Sequence, residues 1–86
     1  GSISRSFAIA DSPGNQVLIT VKTRGEANIT ATAGNETLVD GVRLNGGSAW
    51  VSQTDADRID IEIENVDPDT TLYIESAVVS PVLIEK

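Results

Sequence analysis

The chain has 86 residues and a net charge of −7 at pH 7, from six basic and thirteen acidic residues, and it lacks cysteine and histidine. The missing thiol and imidazole groups exclude disulfides, Ser-His-Asp and Cys-His nucleophilic sites, and the usual protein ligands of zinc, copper and haem. The acidic charge disfavours binding to nucleic acid or to anionic lipid, because both bind basic surfaces. We therefore expect a non-catalytic protein with no nucleic-acid partner.

The length predicts a single domain over residues 1–86. A chain this short buries only about 60–65% of its unfolded surface, so its stability must come from good packing. Gly1 and Ser2 resemble a cloning scar, and we expect the chain to be an excised part of a longer protein. No apolar run approaches the ~20 residues of a transmembrane helix, so we expect no direct membrane insertion by this part of the protein.

Short alternating runs of apolar and polar residues predict strands along the whole chain. Turn residues separate the runs, and the pairs Gly34-Asn35 and Asp40-Gly41 each predict a hairpin. The strands are predicted at residues 3–9, 17–22, 27–32, 37–39, 42–44, 48–52, 59–64, 72–75 with an extension to 79, and 82–84.

Residues 59–64 carry the strongest strand pattern. Three isoleucines alternate without a break with three carboxylates: Ile59, Asp60, Ile61, Glu62, Ile63 and Glu64. This period of two is typical of an antiparallel strand with one buried and one solvated face. With turn signals every 8–12 residues, it predicts an all-β fold, a small antiparallel β-sandwich of seven to nine short strands. The sandwich is immunoglobulin-like in the broad architectural sense, without the Cys-Trp-Cys pattern.

Trp50 and Tyr73 are candidates for a ligand-stacking surface. Tyr73 is expected to point outward, because its neighbours Leu72 and Ile74 are convincing core residues. Trp50 points outward as well if its two aliphatic neighbours face the core. The alternative is that Trp50 is itself a core residue, since tryptophan is well buried on average.

Two turns carry pairs of carboxylates that are candidate calcium ligands. Asp55 and Asp57 lie in one turn, and Asp67 and Asp69 lie in the next. If calcium binds, we expect both turns to contribute from one end of the sandwich, because calcium takes six to eight oxygen ligands. The alternative is that these side chains cap their own backbone, as aspartate does in most turns. No other cofactor is expected.

The C-terminal residues 77–84 are apolar on both faces of the predicted strand. A strand of this kind needs cover on each side. Val82, Leu83 and Ile84 are therefore candidate partner contacts, and self-association through this edge strand is one form the contact would take. The alternative is an ordinary closing strand with one partly solvated face.

These observations predict a non-catalytic protein-interaction or structural module of an extracellular, cell-surface or virion-surface assembly. The alternative is a carbohydrate-binding domain that stacks sugar rings on Trp50 and Tyr73. Two Asn-x-Thr sequons, at Asn28 and Asn35, would be candidate glycan acceptors in a secreted protein, although two matches are no excess over chance.

Overall fold

A computed structural model describes residues 2–9 and 16–82, which form seven strands. In chain order the strands are β1 (Ser2–Ala8), β2 (Gln16–Arg24), β3 (Ala27–Ala33), β4 (Glu36–Leu44), β5 (Gly47–Gln53), β6 (Arg58–Asn65) and β7 (Tyr73–Pro81). They form a four-stranded sheet of order β1-β6-β3-β4 and a three-stranded sheet of order β5-β2-β7, and every pairing is antiparallel. The predicted all-β sandwich is confirmed. Within the described ranges, no helix has the length and apolar character needed to cross a membrane.

The strand order differs from that of an immunoglobulin constant domain. In that fold the first, second, fifth and fourth strands share one sheet, whereas here the first, sixth, third and fourth do. Only β3 and β4 are consecutive strands within one sheet, and every other connection crosses to the opposite sheet. The inner faces of both sheets are therefore assembled from strands that are distant in sequence.

The core follows the period-two pattern. The three isoleucines of β6 are at most 1% exposed, and they share the core with the alternating valines and isoleucine of β2 and with β3. The carboxylates between the β6 isoleucines are exposed. A strand whose successive side chains point to opposite faces produces this arrangement without further constraint.

Residues 36–44 form one strand, where the sequence predicts two strands joined by a hairpin. The register of β3 against β4 shifts between Ile29 and Ala31, so one residue of β3 faces Asp40 and Gly41 together. Gly41 has a φ of 58°, the left-handed conformation that a glycine takes in this type of β-bulge. The predicted hairpin is wrong, because the Asp-Gly pair marks a bulge within a continuous strand.

One side of the sandwich is less covered than the other. Strands β4 and β5 pack against each other at one side, which leaves β1 and β7 at the opposite side, here called the β1/β7 side. Ile3 and Phe7 pair with buried isoleucines of β6 and so face inward, yet Ile3 is 48% exposed. The reason is geometric: a three-stranded sheet is one strand too narrow to cover a four-stranded one.

Candidate protein-interaction surface

The outward side of the three-stranded sheet, here called the outer face, presents apolar side chains from all three strands. Leu18 of β2 lies opposite Val51 of β5, and Thr20 lies between Ala49 and Val78 of β7. Directly opposed residues of antiparallel strands share a face, with their Cβ atoms about 4.5–5.5 Å apart. Val51 is 62% and Val78 is 49% exposed, and Leu18 is half-buried. These residues therefore form one apolar patch across the full width of the sheet.

A group of charges borders this patch. The pairing of β2 with β7 shifts between Lys22 and Thr23, and the shift leaves Glu75 as the extra residue of β7. Its carboxylate accepts a hydrogen bond from Arg24 at 2.9 Å and lies 3.5 Å from Lys22 Nζ. Two cations and one paired carboxylate give this end of the face a net charge of +1, on a chain whose net charge is −7.

The outward side of the four-stranded sheet has different chemistry. The exposed carboxylates of β6 lie between serines of β1 and Asn28, Thr30 and Thr32 of β3. Ser6 Oγ donates a hydrogen bond to the carboxylate of Asp60, and Asn28 Nδ2 donates to Glu64 Oε1 at 3.5 Å. Of the two sequon asparagines, Asn28 belongs to this polar surface, and Asn35 is exposed in the turn between β3 and β4.

The two aromatic candidates do not lie on one face. Trp50 is opposite the fully buried Ile19 and packs against the core, whereas its neighbours Ala49 and Val51 are exposed. Tyr73 is 56% exposed and is opposite Arg24 on the outward side. Of the two orientations that the sequence left open for Trp50, the structure has the inward one, since burying the indole removes more apolar area from water than burying alanine or valine. The two-ring sugar platform is therefore not formed.

The four candidate calcium ligands are likewise not brought together. Asp55 and Asp57 precede β6, and Asp67 and Asp69 follow it, so the two pairs lie at opposite ends of a strand roughly 25 Å long. Within the described residues, no group of three or more acidic side chains is placed to hold a metal. The expectation that both turns meet at one end is wrong, because the two loops that flank one strand lie at its opposite ends.

The second of these turns is closed by its own hydrogen bonds. Asp67 Oδ1 accepts from the Asp69 backbone N–H at 3.1 Å, and Asn65 Oδ1 accepts from that of Asp67 at 3.1 Å. The Asn65 amide also donates to the Thr70 carbonyl at 3.0 Å. This local capping is the alternative role that the sequence left open for these aspartates.

The C-terminal candidates are only partly within the described residues. Val82 is half-buried, and its backbone N–H donates to the Gln16 carbonyl at 3.0 Å, which continues the pairing of β7 with β2. Leu83 and Ile84 lie outside the described ranges.

Sequence reasoning did not identify the outer face as a candidate. The alternation in β2 places Leu18 on the face opposite Ile19, but nothing local to residues 48–52 or 73–81 indicates that Val51 lies opposite Leu18 and Val78 lies diagonally across from it. Only the pairing order brings the three together. Comparison with known proteins adds no assignment, because no protein-family model, curated protein or solved structure matches the chain.

Proposed function

We propose that this domain is a non-catalytic protein-interaction module of an extracellular, cell-surface or virion-surface assembly, and that it binds protein through the outer face. One observation carries the proposal: Val51 and Val78 are exposed on either side of Leu18 and Thr20, in one contiguous patch. Contiguous exposed apolar surface on a soluble domain is a feature of interaction sites.

The outward side of the four-stranded sheet is less suited to binding a protein than the outer face. A partner that covered the four-stranded sheet would have to desolvate Asp60, Glu62 and Glu64, which is costly unless each carboxylate gains a partner. On the outer face the carboxylate of Glu75 is already paired with Lys22 and Arg24. A partner that binds the outer face therefore removes apolar side chains from water and does not leave the Glu75 carboxylate buried without a cation beside it.

The size of the outer face indicates how it would be used. Three strands of about seven residues cover roughly 300 Å², against roughly 800 Å² per partner in a standard stable interface. A single contact of this area gives weak binding, and linked copies convert weak contacts into strong overall attachment. An assembly of repeated copies fits this area better than a tight one-to-one complex, and the first partner to test is a second copy of the chain.

The test is a dilution series from millimolar to micromolar protein, in which self-association is monitored by backbone amide chemical shifts in NMR spectra and by sedimentation velocity. We expect the amides of Leu18, Thr20 and Val51 to move with concentration, and Val78→Lys to abolish the movement. Ser4→Lys is the matched control, because it adds the same charge to an exposed outward position on the other sheet's edge strand. Shifts that are independent of concentration, or that persist unchanged in Val78→Lys, would contradict the proposal.

A further inference from the structure

The β1/β7 side has room for one further strand. Among the described residues, β7 pairs with β2 along one edge only, and no strand lies along its other edge. Opposite that open edge, β1 is only partly covered by the described strands of the three-stranded sheet: its inward residue Ile3 is 48% exposed. Ile74, Ala77 and Val79 on β7 are also only half-buried, which is consistent with the open edge beside them.

The open edge of β7 offers backbone groups for pairing. The bond from Val82 N–H to the Gln16 carbonyl fixes the phase of the ladder. Hydrogen-bonded and non-hydrogen-bonded pairs alternate along an antiparallel ladder, so the peptide groups of Ala77 and Val79 point to the open edge. Pro81 has the same phase and no N–H to leave unpaired, as is usual for proline in an edge strand. A short strand is the natural partner for such an edge.

The side chains that face the vacant position define what such a strand must carry. At one end, Ile3, Ile63 and Leu72 line an apolar depression of about 330 Å³. Towards the other end, Phe7 is half-buried. Between them Arg5 shares the inward phase, is exposed, and forms no ion pair with any residue that the structure describes.

The positive charge of Arg5 then indicates that the added strand carries an acidic residue opposite it. Packed sheets lie about 10 Å apart, a gap that an arginine and a short carboxylate facing each other can span. An alternating strand meets Ile3, Arg5 and Phe7 with every second residue. The added strand must therefore have the sequence pattern apolar-x-acidic-x-apolar, where x is any residue.

We propose that an extended segment of another protein, with this apolar-x-acidic-x-apolar pattern, pairs with the open edge of β7 and covers β1 as an eighth strand. The proposal rests on the proposed function insofar as the domain binds protein, but it uses a different surface from the outer face. The two can therefore fail independently.

The probe is a synthetic peptide, Thr-Val-Thr-Asp-Thr-Val-Thr, whose pattern reads the same in both directions. We expect saturable shifts of the Ala77 and Val79 amides and of the Ile3 methyl groups, with a Kd on the order of 0.1–1 mM because the peptide must be ordered on binding. N-methylation of one alternate set of peptide nitrogens should abolish binding, and methylation of the other set should not. A paired strand presents only alternate N–H groups to its neighbour, so only one of the two sets can donate hydrogen bonds to β7. Because the methyl groups are on the peptide, the protein is the same in both experiments.

A charge exchange tests the role of Arg5. Arg5→Glu should weaken binding of the aspartate peptide by about fivefold, the upper range for an exposed ion pair, and a peptide with lysine in place of aspartate should recover the loss. An absence of saturable shifts on the β1/β7 side would overturn the proposal, and so would equal effects of the two N-methylated peptides. Shifts confined to the outer face would reject this site and leave the proposed function standing. Shifts on the β1/β7 side that appear on concentrating the protein alone would make a second copy the occupant, contrary to the proposal.

Discussion

Trp50 and Ile19 lie directly opposite each other on β5 and β2, and both face the interior of the sandwich. Because side chains alternate along a strand, the inward position of Trp50 turns Ala49 and Val51 outward. The orientation of this one ring therefore takes Trp50 out of the sugar platform and at the same time places Ala49 and Val51 on the outer face. The position of Trp50 therefore bears on both functions that the sequence left open, and we base the proposed protein-interaction surface on it.

The fluorescence of the single tryptophan tests that orientation directly. We expect blue-shifted emission and weak acrylamide quenching at every protein concentration, because the indole packs against the core. Trp50→Ala should lower the free energy of unfolding by about 2–3 kcal/mol, somewhat below the range for a fully buried aromatic. Tyr73→Ala, at an exposed position, should cost less than about 1 kcal/mol in the same urea titration. Red-shifted, readily quenched emission would contradict the inward orientation.

Gly25 is predicted to be intolerant of a side chain. Its φ is 108°, and a Cβ at this position would lie 3.4 Å from Leu72 Cδ1 and 3.5 Å from the Thr71 carbonyl oxygen. We expect Gly25→Ala to lower the free energy of unfolding by about 1–3 kcal/mol through backbone strain. Gly47→Ala is the control, since its Cβ would meet Lys22 Cγ at an ordinary 3.6 Å. Equal effects of the two substitutions in denaturant titrations would rule out this explanation.

The row of carboxylates on β6 predicts a dependence of stability on salt. Asp60, Glu62 and Glu64 point to one side, roughly 7 Å apart along the strand, where like charges repel by a few tenths of a kcal/mol after screening. We expect the free energy of unfolding to rise between roughly 0.01 M and 0.15 M salt. Glu62→Gln should reduce that rise more than Glu36→Gln, because Glu62 lies between two other carboxylates. An equal reduction by both variants would point to net charge alone.

Calcium is expected to leave stability unchanged. The carboxylate pairs lie at opposite ends of β6, and the hydrogen bonds of the Asp67 turn are already made within the chain. Neither turn alone supplies six to eight oxygens. The thermal midpoint should be the same with millimolar calcium and with chelator. A rise that is lost in Asp67→Asn but kept in Asp55→Asn would instead assign a site to the second turn.

Local pattern was sufficient for the inward and outward faces of β6 and β2. Alternation is a property of the extended backbone itself, so the side on which Ile61 or Glu62 lies needs no knowledge of the neighbouring strands. The same reasoning left residues 49–51 undecided, because small apolar residues on one side and a large ring on the other make both orientations locally acceptable. It also misjudged Asp40 and Gly41, because a hairpin and a glycine bulge use the same pair of residues.

By itself the sequence determined an acidic, all-β sandwich, the buried face of its most regular strands, and the absence of histidine and cysteine chemistry. Only the tertiary structure decided that Leu18 lies between Val51 and Ser80, that the aspartate turns lie far apart, and that β1 extends beyond the opposing sheet. The physical reason is that side-chain alternation is local, whereas strand order is selected by packing between segments that are distant in the chain.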